Sequence, residues 1–349
     1  MLWENLRNLI LFVLMLGGLV FFHELGHFVV AVACGVKVKE FGLGLPPRLL
    51  KLGEWRGTEL TLNWIPLGGF VRPEGEYDTA ARGGLAASSP WVRLAVFAAG
   101  PGANFLAGYL IFVLAFSLGW PKGVQVVAVA QNSPAQAAGV RSDDVVLSVD
   151  GKAVNGSEQL LQALSAKIGQ PLTLELLRGE ETLSVVLTPN TQWSLDLRPT
   201  GLTLGRRLVK YSLPAAMLGA GEQVWEVVRE TLALPMRLVS GQMSLKDVRF
   251  TSPVGLKQVS DRIVSNSFKW QVSFPILDLT ALVSVALGLT NILPIPALDG
   301  GRVVFVLVEI VRRRRVSARL EKRVHVAGML ALYALMAGLM VQDFVHPLF

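Results

Sequence analysis

The segment FFHELGHFVV, residues 21–30, sets two histidines and a glutamate inside a run that is otherwise soluble in lipid. Ionisable side chains at membrane depth are costly and mark function by default. His23, Glu24 and His27 spell H-E-x-x-H. On a helix, positions i and i+4 share a face, so both imidazoles can reach one metal ion. The glutamate beside the first histidine is then a general base toward water activated there. The chain has four histidines, and two of them are in this motif. The surrounding apolar run, Leu9 to Val32, is longer than the core of a secretory signal and lacks a strongly basic start. It is expected to be a retained membrane span.

The composition points the same way. Of 349 residues, 52% are hydrophobic and 17% charged, with a mean hydropathy of +0.48, which suggests an integral membrane protein. The net charge of +7 reads as membrane topology. No Lys/Arg face interleaved with aromatics is present, so no nucleic-acid partner is expected. Cys34 is the sole cysteine, which precludes an intrachain disulfide. A bilayer span needs about 20 apolar residues. Four segments meet that length: 9–33, 92–119, 273–293 with an apolar continuation to 311, and 324–345.

Four spans put the first and last connections on one side. The first carries Lys37, Lys39, Arg48, Lys51, Arg56, Arg72 and Arg82, and the last carries Arg312 to Arg315, Arg319, Lys322 and Arg323. The excess of positive charge assigns residues 34–91 and 302–323 to the cytoplasm. Both termini and the region from about 120 to 272 then lie outside. In the first connection, VKVKEFGLGL (36–45) and TELTLNWI (58–65) alternate with the period of strands, with Gly57 in a turn between strand-like residues. The apolar, glycine-rich IPLGGFV (65–71) follows, so a small sheet dipping into the membrane is expected. Tyr77 to Ser89 reads as a mobile loop of small residues. In 205–240, apolar residues near helical spacing suggest an amphipathic helix, lying at the membrane surface or packed as an ordinary helix. Ser252-Pro253 suits the start of another helix.

A catalytic zinc usually takes three protein ligands and a water. His325 follows the basic loop and His346 sits at the far end, so neither is well placed. Asp299, in LTNILPIPALDGGRVVF (289–305), is an acid in an apolar run, and Pro294, Pro296, Gly300 and Gly301 prevent a regular helix around it. Broken helices at membrane depth are tolerated where the backbone lines a cavity. The competing reading is that Asp299 ends the span or caps the next helix. By depth, Asp299 and His23 both lie toward the cytoplasmic ends of their spans, where they can meet.

Residues 122–190 read as short strands and helices: a strand at VQVVAVA, a turn into a helix at NSPAQAAGV, an Asp-Gly turn after DDVVLSV, an amphipathic helix at SEQLLQALSAKIGQ, and a hairpin. This order resembles a bacterial PDZ domain. HELGH, LDGGR and that domain between the second and third spans together resemble the site-2 proteases, intramembrane zinc metalloproteases, and most of all the bacterial branch that cleaves anti-sigma factors. IPLGGFV, AAGPGANF (98–105) and NILPIPALDGG are also similar to segments of that family. The resemblance implies Glu24 as catalytic base, His23, His27 and Asp299 as zinc ligands, and Asn291 as a residue that holds the substrate strand. Asn63, Trp64, Ile65, Gly68 and Gly69 are further substrate-binding candidates, since an exposed strand edge can accept an extended peptide. One PDZ-like domain stands where many members of the branch carry two.

The expected architecture is an α-helical polytopic membrane protein with about four transmembrane helices, a membrane-associated β-hairpin or sheet, and one inserted α+β PDZ-like domain. Its regions are 1–121 (first membrane part), 122–190 (PDZ-like), 191–272 (linker with amphipathic helices) and 273–349 (second membrane part). The expected location is a bacterial inner membrane, with the PDZ-like domain outside the cytoplasm. The expected partners are Zn2+, the lipid bilayer, a single-span anti-sigma-factor-like substrate or a remnant signal peptide, and a peptide or C-terminus at the PDZ-like domain. Two other readings were weighed. A proteolytically inactive metal-binding scaffold is disfavoured because Glu24 is present. A metal transporter would need polar residues through several spans, and the fourth offers none that convince.

Overall fold

The computed structural model describes residues 2–154, 156–190, 200–244 and 251–348. Parts of the expected linker, 191–199 and 245–250, lie outside the described residues. In chain order the described elements begin with α1 (Leu2–Ala33), β1 (Val38–Trp55), β2 (Thr58–Pro73), α2 (Pro90–Leu118), β3 (Trp120–Val129), α3 (Pro134–Ala137), β4 (Val145–Val149), β5 (Lys152–Ala153) and α4 (Ser157–Ala166). They continue with β6 (Leu172–Arg178), β7 (Glu181–Leu187), β8 (Leu202–Val209), α5 (Leu213–Val239), α6 (Pro253–Trp270), α7 (Phe274–Ile292), α8 (Asp299–Arg312) and α9 (Ala318–Val345). They form two compact units, one of Met1–Leu114 with Ala216–Phe349 and one of Ala115–Ala215.

In the first unit, α1, α2, α7 and α9 are each long and apolar enough to cross a membrane. Large apolar side chains such as Ile10, Leu14, Phe22, Leu106, Leu110, Leu330 and Leu335 are exposed along them. A water-facing surface would not carry so many together. α1 stops at Gly35, whose φ of +77° is the left-handed cap, and Val36 N–H reaches back to Ala31 O at 2.9 Å. Glycines let the helices touch. A Cβ at Gly26 would press on Ala99 and Ala103, bringing α1 against α2, while Gly108 and Gly288 do the same between α2 and α7. Arg93, at the start of α2, is buried and pairs with Glu309 of α8 at 2.6 Å.

β1 and β2 are joined by an Arg56-Gly57 turn with positive φ at both residues, the preference of a two-residue hairpin. Both strands fold back on themselves. Gly42 lies opposite Phe70 on one side and Thr61 on the other, and Thr61 is also opposite Lys51. The result is four antiparallel runs in the order 69–73, 38–43, 58–63, 48–55, with free edges at the first and last. The stretch from Tyr77 to Ser89, expected to be mobile, is held by hydrogen bonds and packing. Lys37 N–H bonds Gly83 O at 2.9 Å, Leu85 N–H bonds Glu74 O at 2.9 Å, and Leu85 and Ala86 are buried. Its small residues allow close packing, and Arg315 donates to Ala86 O.

The expected apolar continuation of the third span is a separate helix. α7 ends at Ile292 and α8 begins at Asp299, with an irregular turn between them. α6 starts at Ser252, whose hydroxyl accepts from Val254 N–H at 3.1 Å, followed by Pro253.

The second unit holds an antiparallel six-stranded sheet in the order β7-β6-β4-β3-β8, with β5 on β4. Its core is Val126, Val146, Leu160, Leu164, Leu174, Leu176 and Leu202, all buried. Asp150 and Gly151 take positive φ in the expected turn, and Ser133 caps α3. The sheet reaches past residue 190, because β8 completes it along the free side of β3. Asp144 is buried, and Arg178 donates to both its oxygens at 2.7 Å.

Candidate metal centre and active site

His23 and His27 come from successive turns of α1, and Asp299 from the first residue of α8. Leu298, not Asp299, is the N-cap position of that helix. The three side chains converge. Asp299 Oδ2 lies 3.0 Å from His23 Nε2 and 3.3 Å from His27 Nε2, and the two Nε2 atoms are 3.2 Å apart. Donors held at about 2.0–2.1 Å on a tetrahedral zinc stand about 3.3 Å from one another. Two imidazole nitrogens and a carboxylate oxygen at this spacing therefore fit such an ion. Among the described residues this is the one group of three or more His, Cys, Asp or Glu side chains close enough to hold a metal.

The rings have defined surroundings. His27 Nδ1 is 2.7 Å from Val96 O. A carbonyl can only accept, so Nδ1 carries the proton and Nε2 keeps its lone pair for a metal. His23 Nδ1 is 3.2 Å from the side-chain amide of Asn104. Gly100 of α2 faces both rings, and a Cβ there would collide with His27 and stand 2.8 Å from His23 Cε1.

These groups open on a cavity of about 320 Å³ lined by His23, Glu24, His27, Asn291, Asp299 and Arg302, with Phe70, Val71 and Pro73 along one wall. Glu24 thus faces the same space as the triad. On the far side Arg302 pairs with Glu76 at 2.5 Å and donates to Tyr77 Oη at 3.3 Å. Burial pushes the Tyr77 phenol up, so it stays neutral.

The substrate-binding candidates fall in different places. Asn291 lines the cavity, with its amide donating to Leu287 O at 3.1 Å. Asn63 is buried, and its amide donates to Leu43 O and Gly44 O. The run that contains it is paired on both sides, so it offers no free edge. Trp64 and Ile65 are exposed. Gly68 packs on Val20, and Gly69 lies beside Glu24 at the start of the free 69–73 edge. The free edge next to the site is therefore 69–73, displaced from Asn63–Ile65. This happens because β1 folds over at its middle and covers the other flank.

Gly100, Asn104 and Arg302 fall in the family-like segments AAGPGANF and LDGGR, but sequence reading assigned them no role, and it placed His325 away from the site. His325 does not join the triad. Its Nδ1 accepts Ala297 N–H at 3.0 Å, two residues before Asp299. The signals for Asn104 were its place in AAGPGANF and its polarity in an otherwise apolar span.

The model of Peptidase family M50 matches residues 11–335. A protein of Agrobacterium fabrum named "Putative zinc metalloprotease" is 30% identical over 93% of this chain and 92% of its own length. One of the same name from Clostridium perfringens is 31% identical over 95% of this chain and 96% of its own. Among solved structures, the PDZ domain of an SdrC-like protein from Listeria monocytogenes aligns with 24% of this chain and 87% of its own, at 21% identity and a TM-score of 0.21.

Proposed function

This chain belongs to peptidase family M50, and from that premise we propose that it is a zinc endopeptidase of the site-2 type. Its proposed reaction is hydrolysis of a peptide bond within or near the membrane span of an anchored regulatory protein, anti-sigma-factor-like, or of a remnant signal peptide. The observation that carries this reading is the convergence of His23, His27 and Asp299 beside Glu24, on helices long and apolar enough to span.

His23 Nε2, His27 Nε2 and an Asp299 oxygen would hold the zinc. When bound, zinc supplies Lewis acidity that makes water a nucleophile at neutral pH and polarises a peptide carbonyl. Glu24 takes the proton from the attacking water and returns it to the leaving amine. A helical span hides its carbonyls in its own hydrogen bonds, so the bond to be cut must be drawn out into an extended form. The 69–73 run pairs with β1 on one side, and its other side lies next to Glu24, where a substrate strand could add if the Val71 backbone exchanges its bond to Glu24. Asn291 lines the same cavity and is suited to hold the substrate backbone if its amide leaves Leu287.

The sheet unit at 115–215 is proposed to lie outside the cytoplasm, PDZ-like in role. There it passes only substrates whose outer portion a first protease has trimmed, which makes this enzyme the second cut of a cascade.

The test compares wild type with Glu24→Gln in liposomes that carry a tagged single-span substrate with a short outer segment, with zinc measured in parallel. Wild type is expected to cut within the span. Glu24→Gln should keep its zinc and cut about 10²–10⁴-fold more slowly. If both hold zinc and neither cuts any of a panel of trimmed substrates, the protein is a metal-binding scaffold instead.

A further inference from the structure

We infer that Asn104 is a positioning residue that sets which nitrogen of His23 carries the proton, and so whether His23 Nε2 is open to a metal. The inference rests on the zinc reading above and extends it to the neighbour of one ligand.

A neutral imidazole has one N–H and one lone pair, and the partner of one nitrogen fixes the other. For His27 that partner is a carbonyl, Val96 O, and the outcome is settled. For His23 it is a primary amide, which offers a donor on one branch and an acceptor on the other. Asn104 is 1% exposed, so water does not compete for it.

The two orientations of the amide give two sets of hydrogen bonds to His23. With the NH2 branch toward His23, Nδ1 accepts at 3.2 Å and the proton sits on Nε2, which then donates to Asp299 Oδ2 at 3.0 Å. That set suits a site without its ion. It leaves Asn104 Oδ1 buried with no partner. With the oxygen branch toward His23, Nδ1–H donates to Oδ1 and the Nε2 lone pair faces the centre of the triad, while the NH2 branch takes the place without a partner. A half-turn of the amide exchanges the two.

The backbone on which the amide turns is fixed. Ser284 of α7, fully buried, donates its hydroxyl to Asn104 O at 2.7 Å. One helix, α2, thus supplies the partner of both ligand rings: a main-chain carbonyl for His27 and a side-chain amide for His23. Loss of such a partner typically lowers metal affinity about 10–100-fold.

The experiment measures zinc affinity of the full chain in detergent by chelator competition, with helix content as the control for folding. Asn104→Leu removes the acceptor and is expected to bind zinc about 10–100-fold more weakly. Asn104→Asp can only accept, so it should stay within a few-fold of wild type or bind more tightly. The role is overturned if Asn104→Leu binds as wild type does. It is also overturned if a folded Asn104→Asp is as weak as the leucine variant. If substitution unfolds the chain, nitrogen NMR of histidine-labelled, zinc-loaded wild type decides. His23 protonated at Nδ1 supports the role, and His23 protonated at Nε2 refutes it. Equal, tight zinc binding in all forms removes only Asn104, whereas absence of zinc binding by wild type removes the metal reading itself.

Discussion

At Gly100 even a methyl group would sit within van der Waals contact of both His23 and His27. The α2 backbone passes so close to the rings that it leaves them one orientation, with Val96 O fixing His27 and Asn104 beside His23. Gly100→Ala is therefore expected to lose bound zinc and cleavage together while the helices remain, which metal analysis and circular dichroism would check. A variant with full zinc content would show that the rings are not confined as described. H-E-x-x-H was legible because its two histidines, the proposed ligands, lie on one helix at i and i+4. Asp299 was legible as an acid that lipid would not accommodate without a partner. Gly100 was not, because its contribution is an absence of side chain opposite residues far away in sequence. Asn63 misled for a related reason. Strand alternation identifies a strand but not whether both of its edges are covered, and its amide is spent on β1.

Among the elements, the break between α7 and α8 does most to create the site. Pro294 and Pro296 end one helix, and Gly300 and Gly301 lie against the carbonyls of Ile292, Leu293 and Ile295, an approach that no side chain would permit. Ala297 holds a φ of +80°, unfavourable for alanine. Contacts from α9 sustain it: His325 Nδ1 accepts the Ala297 N–H, and Gly328 packs against Pro296. His325→Leu would take the acceptor from that half-buried N–H, at a cost of about 1 kcal/mol. The expected result is a lower melting temperature and weaker zinc retention, both partly restored in His325→Asn. Unchanged melting and zinc in the leucine variant would mean that the turn holds itself. The break was readable from Pro and Gly alone. The role of His325 was not, since its partner is a backbone group on another element. The β-rich connection was likewise readable as strands, whereas its four-run fold depends on pairings between distant residues.

For the whole molecule, composition and the four apolar segments identified the helices long enough to span, and α1, α2, α7 and α9 occupy those segments. The extent of the sheet unit was less legible. β8 follows a stretch that sequence alone reads as linker, and only its pairing with β3 draws it into the unit. The proposed orientation has its own probe in the natural sequence, because Cys34 is the sole cysteine and is exposed just past α1. A membrane-impermeant maleimide should label it in inside-out vesicles and not in intact cells, and the opposite pattern would invert the topology. The triad and Glu24 are proposed to hydrolyse a peptide bond at membrane depth. Mass spectrometry of the products of a single-span substrate cut in ¹⁸O-water by wild type and by Glu24→Gln tests this. A new C-terminus inside the span, labelled with ¹⁸O, is expected in wild type, and almost none in the variant. Cuts confined to residues outside the span, or equal cutting by the variant, would contradict it.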